Sequence, residues 1–125
     1  PFLFQAEDGI RSSVASRGLG DVYKRLVEGI GEDHIPGNLN LDIIDEGIYV
    51  SDKDAFEMLN KLLQEEGILA GTSCGTLVHA AVEWCKLQKT PKKVVTLICD
   101  TGNKYLSKAF NKDWLVENNL IDKNS

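Results

Sequence analysis

The amino-acid sequence predicts an α/β fold, in which short buried strands alternate with amphipathic helices. A short apolar run, Ile68 to Ala70, breaks at Gly71 and passes into a segment with helical apolar spacing. A second apolar run, Val94 to Cys99, is continuous and rich in β-branched residues, which is typical of a strand buried on both faces. Small and polar residues follow each run, so we expect two strand-to-helix turns at one edge of a sheet.

A first helix is predicted from about Asp52 to Glu65, after a short strand over Ile48 to Val50. Ser51 has the properties of an N-cap, and Gly67 is placed to end the helix. Apolar residues recur at three- and four-residue spacing and are expected to form the buried face: Ala55, Phe56, Leu59, Leu62 and Leu63.

A second helix is predicted from about Gly75 to Gln88, with Thr72 or Ser73 as its cap. Its expected apolar face comprises Leu77, Val78, Ala81, Val82, Trp84 and Cys85. The sequence then predicts a short helical stretch over Lys104 to Phe110 and a last helix that ends near Asn118. The residues expected to dock on the core from this part are Tyr105, Leu106, Phe110, Trp114 and Leu115.

Composition and charge exclude several classes of function. The chain has 125 residues, the size of one ordinary domain, and 42% of them are hydrophobic. Its net charge of −5, with scattered Lys and Arg, argues against nucleic acid as a partner. No apolar run approaches the roughly 20 residues of a membrane span. Three cysteines without a metal-ligand spacing argue against a disulfide framework, so we expect a reducing, cytoplasmic compartment with Cys85 and Cys99 as core thiols.

The first 25 residues differ from the rest of the chain. Three glycines and three serines interrupt any regular element there, and the segment carries a net charge of +1. The strings FQAEDGIR and RGLGDVYKR resemble a conceptual translation of sequencing-adapter DNA. We therefore expect residues 1–25 to be an artefactual or poorly ordered leader, and residues 26–125 to hold the domain.

The two predicted turns form the candidate binding site. Gly71 and Gly75 remove side chains from both ends of the first turn, so a ligand or another backbone can approach closely. The second turn runs from Asp100 to Asn103. Ligands of open α/β sheets lie at the carboxyl ends of strands, where both turns are expected. The first turn is equally typical of a plain strand–turn–helix connection that binds nothing.

The order of motifs resembles a known family. The chain contains, in this order, the strings VEGIGEDHIP, EEGILAGTSCGT, VVTLICDTGNKYLSK and FNKDWL. This arrangement is similar to the C-terminal part of the catalytic domain of cystathionine β-synthase and, less closely, of cysteine synthase. Both belong to the β-family of pyridoxal-phosphate enzymes. The resemblance covers Leu26 to about Leu120 and implies an incomplete portion of the three-layer, tryptophan-synthase-like (fold type II) domain.

The resemblance also implies residue roles. Ser73 in GTSCG corresponds to the serine that hydrogen-bonds the pyridine nitrogen of pyridoxal 5'-phosphate, with Thr72 beside it in the same motif. The loop residues that line the substrate side of the cofactor correspond to Gly29, Ile30 and Gly31. Asp100 follows the last strand, close to the same end of the ring. Cys99 stands where a proline is common in the family. No metal site is implied.

The family's activity is β-replacement through an aminoacrylate. The resemblance implies serine, or an activated serine, and homocysteine as substrates of a homodimeric full-length enzyme that makes cystathionine. The Schiff-base lysine and the glycine-rich phosphate loop of the family are not found here, so we expect an inactive C-terminal fragment. One alternative is cysteine synthase, which joins O-acetylserine to sulfide. Others are a non-catalytic binding module and a generic structural α/β domain.

Overall fold

The computed structural model describes residues 2–6, 26–27 and 40–122. Its strands are β1 (Phe2–Ala6) and β2 (Glu46–Val50), and its α-helices are α1 (Asp52–Glu66), α2 (Thr72–Lys86) and α3 (Lys112–Glu117). Short 3-10 helices cover Leu41–Ile43 and Gly102–Tyr105. The α/β class predicted from the sequence is confirmed.

Strands β1 and β2 pair in parallel, with Phe2 opposite Glu46 and Ala6 opposite Val50. Thus β1 lies inside the segment that the sequence analysis left out of the fold. Val50 is buried at the end of β2, next to the start of α1. Residues 7–25 are outside the described part of the chain, and the origin of the leader stays a prediction.

Helix α1 follows the sequence prediction closely. The Ser51 hydroxyl accepts a hydrogen bond from the Asp54 amide at 3.1 Å, which satisfies one of the unpaired donors of the first turn. At the other end, Gly67 adopts the left-handed conformation with φ of 69°, which glycine reaches without strain. Four of the five predicted core residues are buried, and Leu63 is half-buried. The buried residues are Ala55, Phe56, Leu59 and Leu62.

The buried face of α2 differs from the predicted one except at Ala81. A Cβ on Gly75 would lie 2.1 Å from the carbonyl oxygen of Ala55. The backbones of α1 and α2 are therefore in direct contact at Gly75, which has no side chain to separate them. The buried residues of α2 are the small ones near its start and middle: Thr72, Cys74, Gly75, Thr76, Ala80 and Ala81. Leu77, Val78 and Val82 are half-buried, and Cys85 is exposed. Apolar spacing alone did not identify this face, because close helix approach selects small residues rather than large ones.

The two predicted strands around α2 are not regular strands among the described residues. Ile68 to Ala70 contributes a single antiparallel bridge, between Ala70 and Thr101. The segment from Val94 to Cys99 is irregular in hydrogen bonding, and Val95 and Leu97 are 87% and 67% exposed. The prediction of a strand buried on both faces was therefore wrong for the described structure.

The C-terminal part covers the core near α1. The short helix α3 is capped by the Asn111 side chain, which accepts from the amides of Asp113 and Trp114. The Trp114 ring lies 5.8 Å from the ring of Phe56 at a tilt of 50°, a favourable arrangement for two aromatic side chains. Leu106, predicted to dock, is exposed. No helix in the described part of the chain is long and apolar enough to cross a membrane.

Candidate functional site

The two turns predicted to converge do meet. The Gly71 amide donates to the carbonyl of Asp100 at 2.9 Å, and the Gly102 amide donates to the carbonyl of Leu69 at 3.0 Å. Together with the bridge from Ala70 to Thr101, these bonds join the start of α2 to the loop before the second 3-10 helix. We call this region, residues 69–76 with 99–102, the junction.

Helix α2 begins at Thr72, three residues before the predicted start at Gly75, and its cap is Gly71. Gly71 has extended backbone angles and makes no side-chain cap bond. Thr72 and Ser73, predicted as caps, are instead the first two helical residues. The Thr72 hydroxyl oxygen is buried and has no hydrogen-bond partner among the described residues. An unpaired buried hydroxyl costs about 1–3 kcal/mol, so this oxygen marks a place where a ligand would stabilise the turn.

Asp100 lies directly against Gly71. A Cβ at Gly71 would be 1.8 Å from Oδ1 of Asp100, so this approach requires glycine. The Tyr105 hydroxyl donates to Oδ2 of Asp100 at 3.0 Å, which fixes the carboxyl group. Oδ1 is buried without a hydrogen-bond partner in the described part of the protein. The sequence analysis did not predict this role for Tyr105. Its position at the end of the short helix that follows the Asp100 turn could have indicated it.

The thiols at the junction are arranged differently from the prediction. Cys74 is the buried cysteine, whereas Cys85 and Cys99, predicted as core thiols, are exposed. The Cys99 amide donates to Sγ of Cys74 at 3.2 Å. Sγ of Cys74 also lies 3.8 Å from the carbonyl oxygen of Asp100. Cys74 therefore packs across the junction onto the backbone of residues 99 and 100.

Ser73 faces the same thiols. Burial raises the pKa of the Cys99 thiol most strongly, and the neighbouring Cys74 raises it further. A hydrogen bond from the Ser73 side chain opposes this pKa shift. Ser73, Cys74 and Cys99 thus form one contact group at the N-terminal turn of α2.

The structure brings together three of the six predicted cofactor residues: Thr72, Ser73 and Asp100. The other three, Gly29, Ile30 and Gly31, lie outside the described residues. Within the described ranges, no group of three His, Cys, Asp or Glu side chains is placed to hold a metal ion.

Comparisons with known proteins identify the family. Residues 4–100 match the pyridoxal-phosphate dependent enzyme family. Cystathionine beta-synthase of Dictyostelium discoideum is 38% identical over 96 residues, which is 77% of this chain and 19% of that protein. Cysteine synthase A of Salmonella typhi is 40% identical over 98 residues, which is 75% of this chain and 29% of that protein.

A solved structure shows the same fold. The O-acetylserine dependent cystathionine beta-synthase from Helicobacter pylori superposes with a TM-score of 0.69 and 29% identity, over 86% of this chain and 33% of that one. This chain therefore spans about a third or less of the length of the relatives it matches. It is a partial α/β domain of fold type II, and it belongs to the pyridoxal-phosphate-dependent enzyme family of cystathionine β-synthase and cysteine synthase.

Proposed function

We propose that the junction holds the ring of pyridoxal 5'-phosphate, with the Ser73 hydroxyl at the pyridine nitrogen and Thr72 and Asp100 beside it. Two oxygens of the junction carry this proposal, Thr72 Oγ1 and Asp100 Oδ1, which lie on either side of the bonded turn. Both are buried without a hydrogen-bond partner among the described residues, as are Thr76 Oγ1 and Thr96 Oγ1. The Thr72 hydroxyl can donate or accept a hydrogen bond and the Asp100 carboxylate can accept one, so the two can bind the polar substituents of an aromatic ring. The side-chain-free Gly71 between them supports a close approach.

The cofactor, when bound, supplies an electron sink for carbanion chemistry at the substrate's α-carbon. Ser73 would tune it by donating a hydrogen bond without carrying a charge. A neutral partner leaves the ring nitrogen largely unprotonated, which weakens the sink and suits reactions in which a leaving group accepts the electrons. Asp100, held by Tyr105, would orient the same end of the ring.

For the full-length protein we propose β-replacement that joins serine, or an activated serine, to homocysteine and yields cystathionine. The match to the Dictyostelium enzyme supports this choice. Cysteine synthase activity, with O-acetylserine and sulfide, is supported equally by the match to the Salmonella enzyme. The described site residues are proposed to contact the cofactor rather than the second substrate. An assay with both second substrates therefore distinguishes the two activities. A homodimer and a cytoplasmic location stay predictions.

We further propose that the 125-residue chain is inactive alone. The lysines of the chain stand in contexts unlike that of the family's Schiff-base lysine, and the chain matches 19% to 29% of its relatives' length. Lysine provides both the covalent anchor and the proton transfers at the α-carbon. Turnover of serine or O-acetylserine by the purified chain with added cofactor would contradict this proposal.

The test of substrate choice is a two-by-two assay of the full-length protein. Serine and O-acetylserine are each paired with homocysteine and with sulfide, and kcat/KM is compared. Preference for homocysteine supports cystathionine synthesis, and preference for sulfide supports cysteine synthesis. Absence of turnover with all four pairs, in protein that binds the cofactor, would overturn both.

The test of the site is the variant Ser73→Ala in the full-length protein. Loss of one hydrogen bond worth about 1 kcal/mol should weaken cofactor binding about fivefold, since 1.4 kcal/mol corresponds to a factor of ten. Binding is measured by titration of the cofactor's absorbance and fluorescence after removal of bound cofactor. Ser107→Ala, at an exposed serine outside the junction, is the control and should leave affinity unchanged. Equal affinities in both variants would remove Ser73 from the site.

A further inference from the structure

Two of the three cysteines meet at the junction, although 24 residues separate them in the chain. Cys74 is fully buried in the first turn of α2, and Cys99 is exposed in the loop that packs on it. The 3.2 Å bond from the Cys99 amide to Sγ of Cys74 places the buried sulfur against the main chain of the exposed cysteine. A second contact, from Sγ of Cys74 to the Asp100 carbonyl, holds the sulfur at this place.

We propose that Cys74 and Cys99 are a redox pair, which a peroxide closes into a disulfide across the junction. The accessible thiol and the buried thiol have complementary roles. Cys99 meets the oxidant because it is exposed, and Cys74 resolves the product because it is adjacent and fixed. The proposal concerns the chemistry of the chain's own thiols and does not depend on cofactor binding.

The step balances with hydrogen peroxide as the oxidant. The Cys99 thiolate attacks one peroxide oxygen, the O–O bond breaks, and Cys99 becomes a sulfenic acid while the other oxygen leaves as water after taking up a proton. Sγ of Cys74, having lost its proton, attacks Sγ of Cys99 and displaces hydroxide, which leaves as water after taking up a proton. Two thiols are oxidised by two electrons, and one peroxide is reduced to two waters.

Proximity rather than acidity promotes this reaction. Cys99 is exposed as a residue, but its partial removal from water on the side of the junction and the adjacent Cys74 raise the pKa of its thiol. The charge of Asp100 raises this pKa further, and only the Ser73 hydrogen bond lowers it. The reactive thiolate is therefore scarce at neutral pH. We expect closure to be slow at pH 7 and to accelerate with rising pH beyond the range of an ordinary cysteine.

The third cysteine provides an internal control. Cys85 is exposed near the end of α2, so it is accessible to the same oxidant. In an unfolded chain, loop closure favours nearer partners roughly as the −3/2 power of separation. The Cys74–Cys99 pair spans the longest loop of the three and would account for only about 15% of intramolecular disulfides.

The experiment oxidises the full 125-residue chain at low concentration with hydrogen peroxide, once in native buffer and once in urea. The disulfide-linked peptides are quantified by mass spectrometry without reduction. We expect Cys74–Cys99 to dominate in native buffer and to fall to about 15% in urea. The same distribution in both conditions, or a native preference for Cys85, would overturn the proposal.

Two variants make the assignment specific. Cys85→Ser should leave the native Cys74–Cys99 yield unchanged, because Cys85 takes no part. Cys99→Ser should leave a Cys74 thiol that peroxide does not cross-link, because Cys74 is buried. The wild-type peptide ratio remains decisive if either variant fails to fold. Efficient native coupling of Cys74 to Cys85 in Cys99→Ser would contradict the proposed pairing.

Discussion

The α1–α2 pair and the segment from Val94 to Ile98 place their leucines in opposite surroundings, although the segment has the more apolar sequence. Leu59, in α1, is 0% exposed, whereas Leu97 is 67% exposed. Helices satisfy their own backbone hydrogen bonds, so α1 and α2 need only each other to bury one face each. A strand needs neighbours for its backbone as well as for its side chains. Burial of a strand therefore depends on more of the chain than burial of a helix does.

The exposed segment keeps part of a strand's pattern. Val94 and Thr96 are half-buried, and they line a shallow groove with the α2 residues Val78, Ala81 and Val82. Val95 and Leu97 point away from it and are exposed. One face thus packs on a helix while the other has no cover among residues 40–122.

Leu59→Ala and Leu97→Ala test the comparison with the same chemical change in both regions. We expect Leu59→Ala to lower the free energy of unfolding by about 3 kcal/mol, because it removes methyl groups from a closed core. Leu97→Ala should change it by less than about 0.5 kcal/mol. Urea unfolding followed by circular dichroism gives both values. Equal losses would mean that the segment is as well packed as the helices.

Gly75→Ala tests how closely the helices approach. The new Cβ would meet the Ala55 carbonyl oxygen at 2.1 Å, so the helices must separate. We expect a loss of about 2 kcal/mol after the gain in helix propensity is subtracted. Gly67→Ala is the matched control, because a Cβ there has open space but a positive φ; it should cost about 1 kcal/mol. An unchanged free energy of unfolding in Gly75→Ala would show that α1 and α2 are not closely packed at this position.

Ser51→Ala removes the cap of α1 and nothing from the core. We expect a loss of about 1 kcal/mol, since the Asp54 amide loses its acceptor. Ser51→Asn, which keeps an oxygen for that amide, is expected to recover most of the stability. The same urea denaturation measures both variants, and an unchanged midpoint in Ser51→Ala would mean that water replaces the cap without cost.

Val95→Lys has the smallest expected effect on stability and a larger one on association. Val95 is 87% exposed, so the free energy of unfolding should change by less than about 0.5 kcal/mol. A lysine on an unpaired extended segment opposes edge-to-edge pairing, so the chain should remain monomeric at higher concentration. Sedimentation at increasing concentration measures this. Lys92→Ala, at an exposed position beside the segment, is the control for a simple change in charge.

Local patterns predicted helix α1 well, whereas the site itself stays a prediction. The cap at Ser51, the stop at Gly67 and the buried Phe56 and Leu59 all depend on residues within one or two turns. The two turns meet as predicted, but an antiparallel bridge and loop hydrogen bonds join them rather than the edge of a parallel sheet. The same reasoning could not find the Cys74–Cys99 contact, because it joins positions far apart in sequence.

Other errors share that cause. The face of α2 was mispredicted because Gly75 lies against the backbone of α1, a requirement for a small residue that hydropathy does not reveal. The hydrogen bond from Tyr105 to Asp100 depends on the path of a loop, which no periodic pattern of apolar residues predicts. The predicted strand over Val94 to Cys99 has no pairing strand among the described residues, and a local apolar run does not reveal whether such a neighbour is present.

The contact between Gly71 and Asp100 restricts the order in which these two positions can mutate. A Cβ added first at position 71 would lie 1.8 Å from Oδ1 of Asp100, so the carboxyl group must rotate and give up its hydrogen bond from Tyr105. If Asp100 is first replaced by alanine or glycine, the space opens and a later side chain at 71 becomes tolerable. Each change alters the fitness effect of the other. Gly71 is therefore more easily replaced after Asp100 than before it, so the order of the two changes matters in sequence divergence.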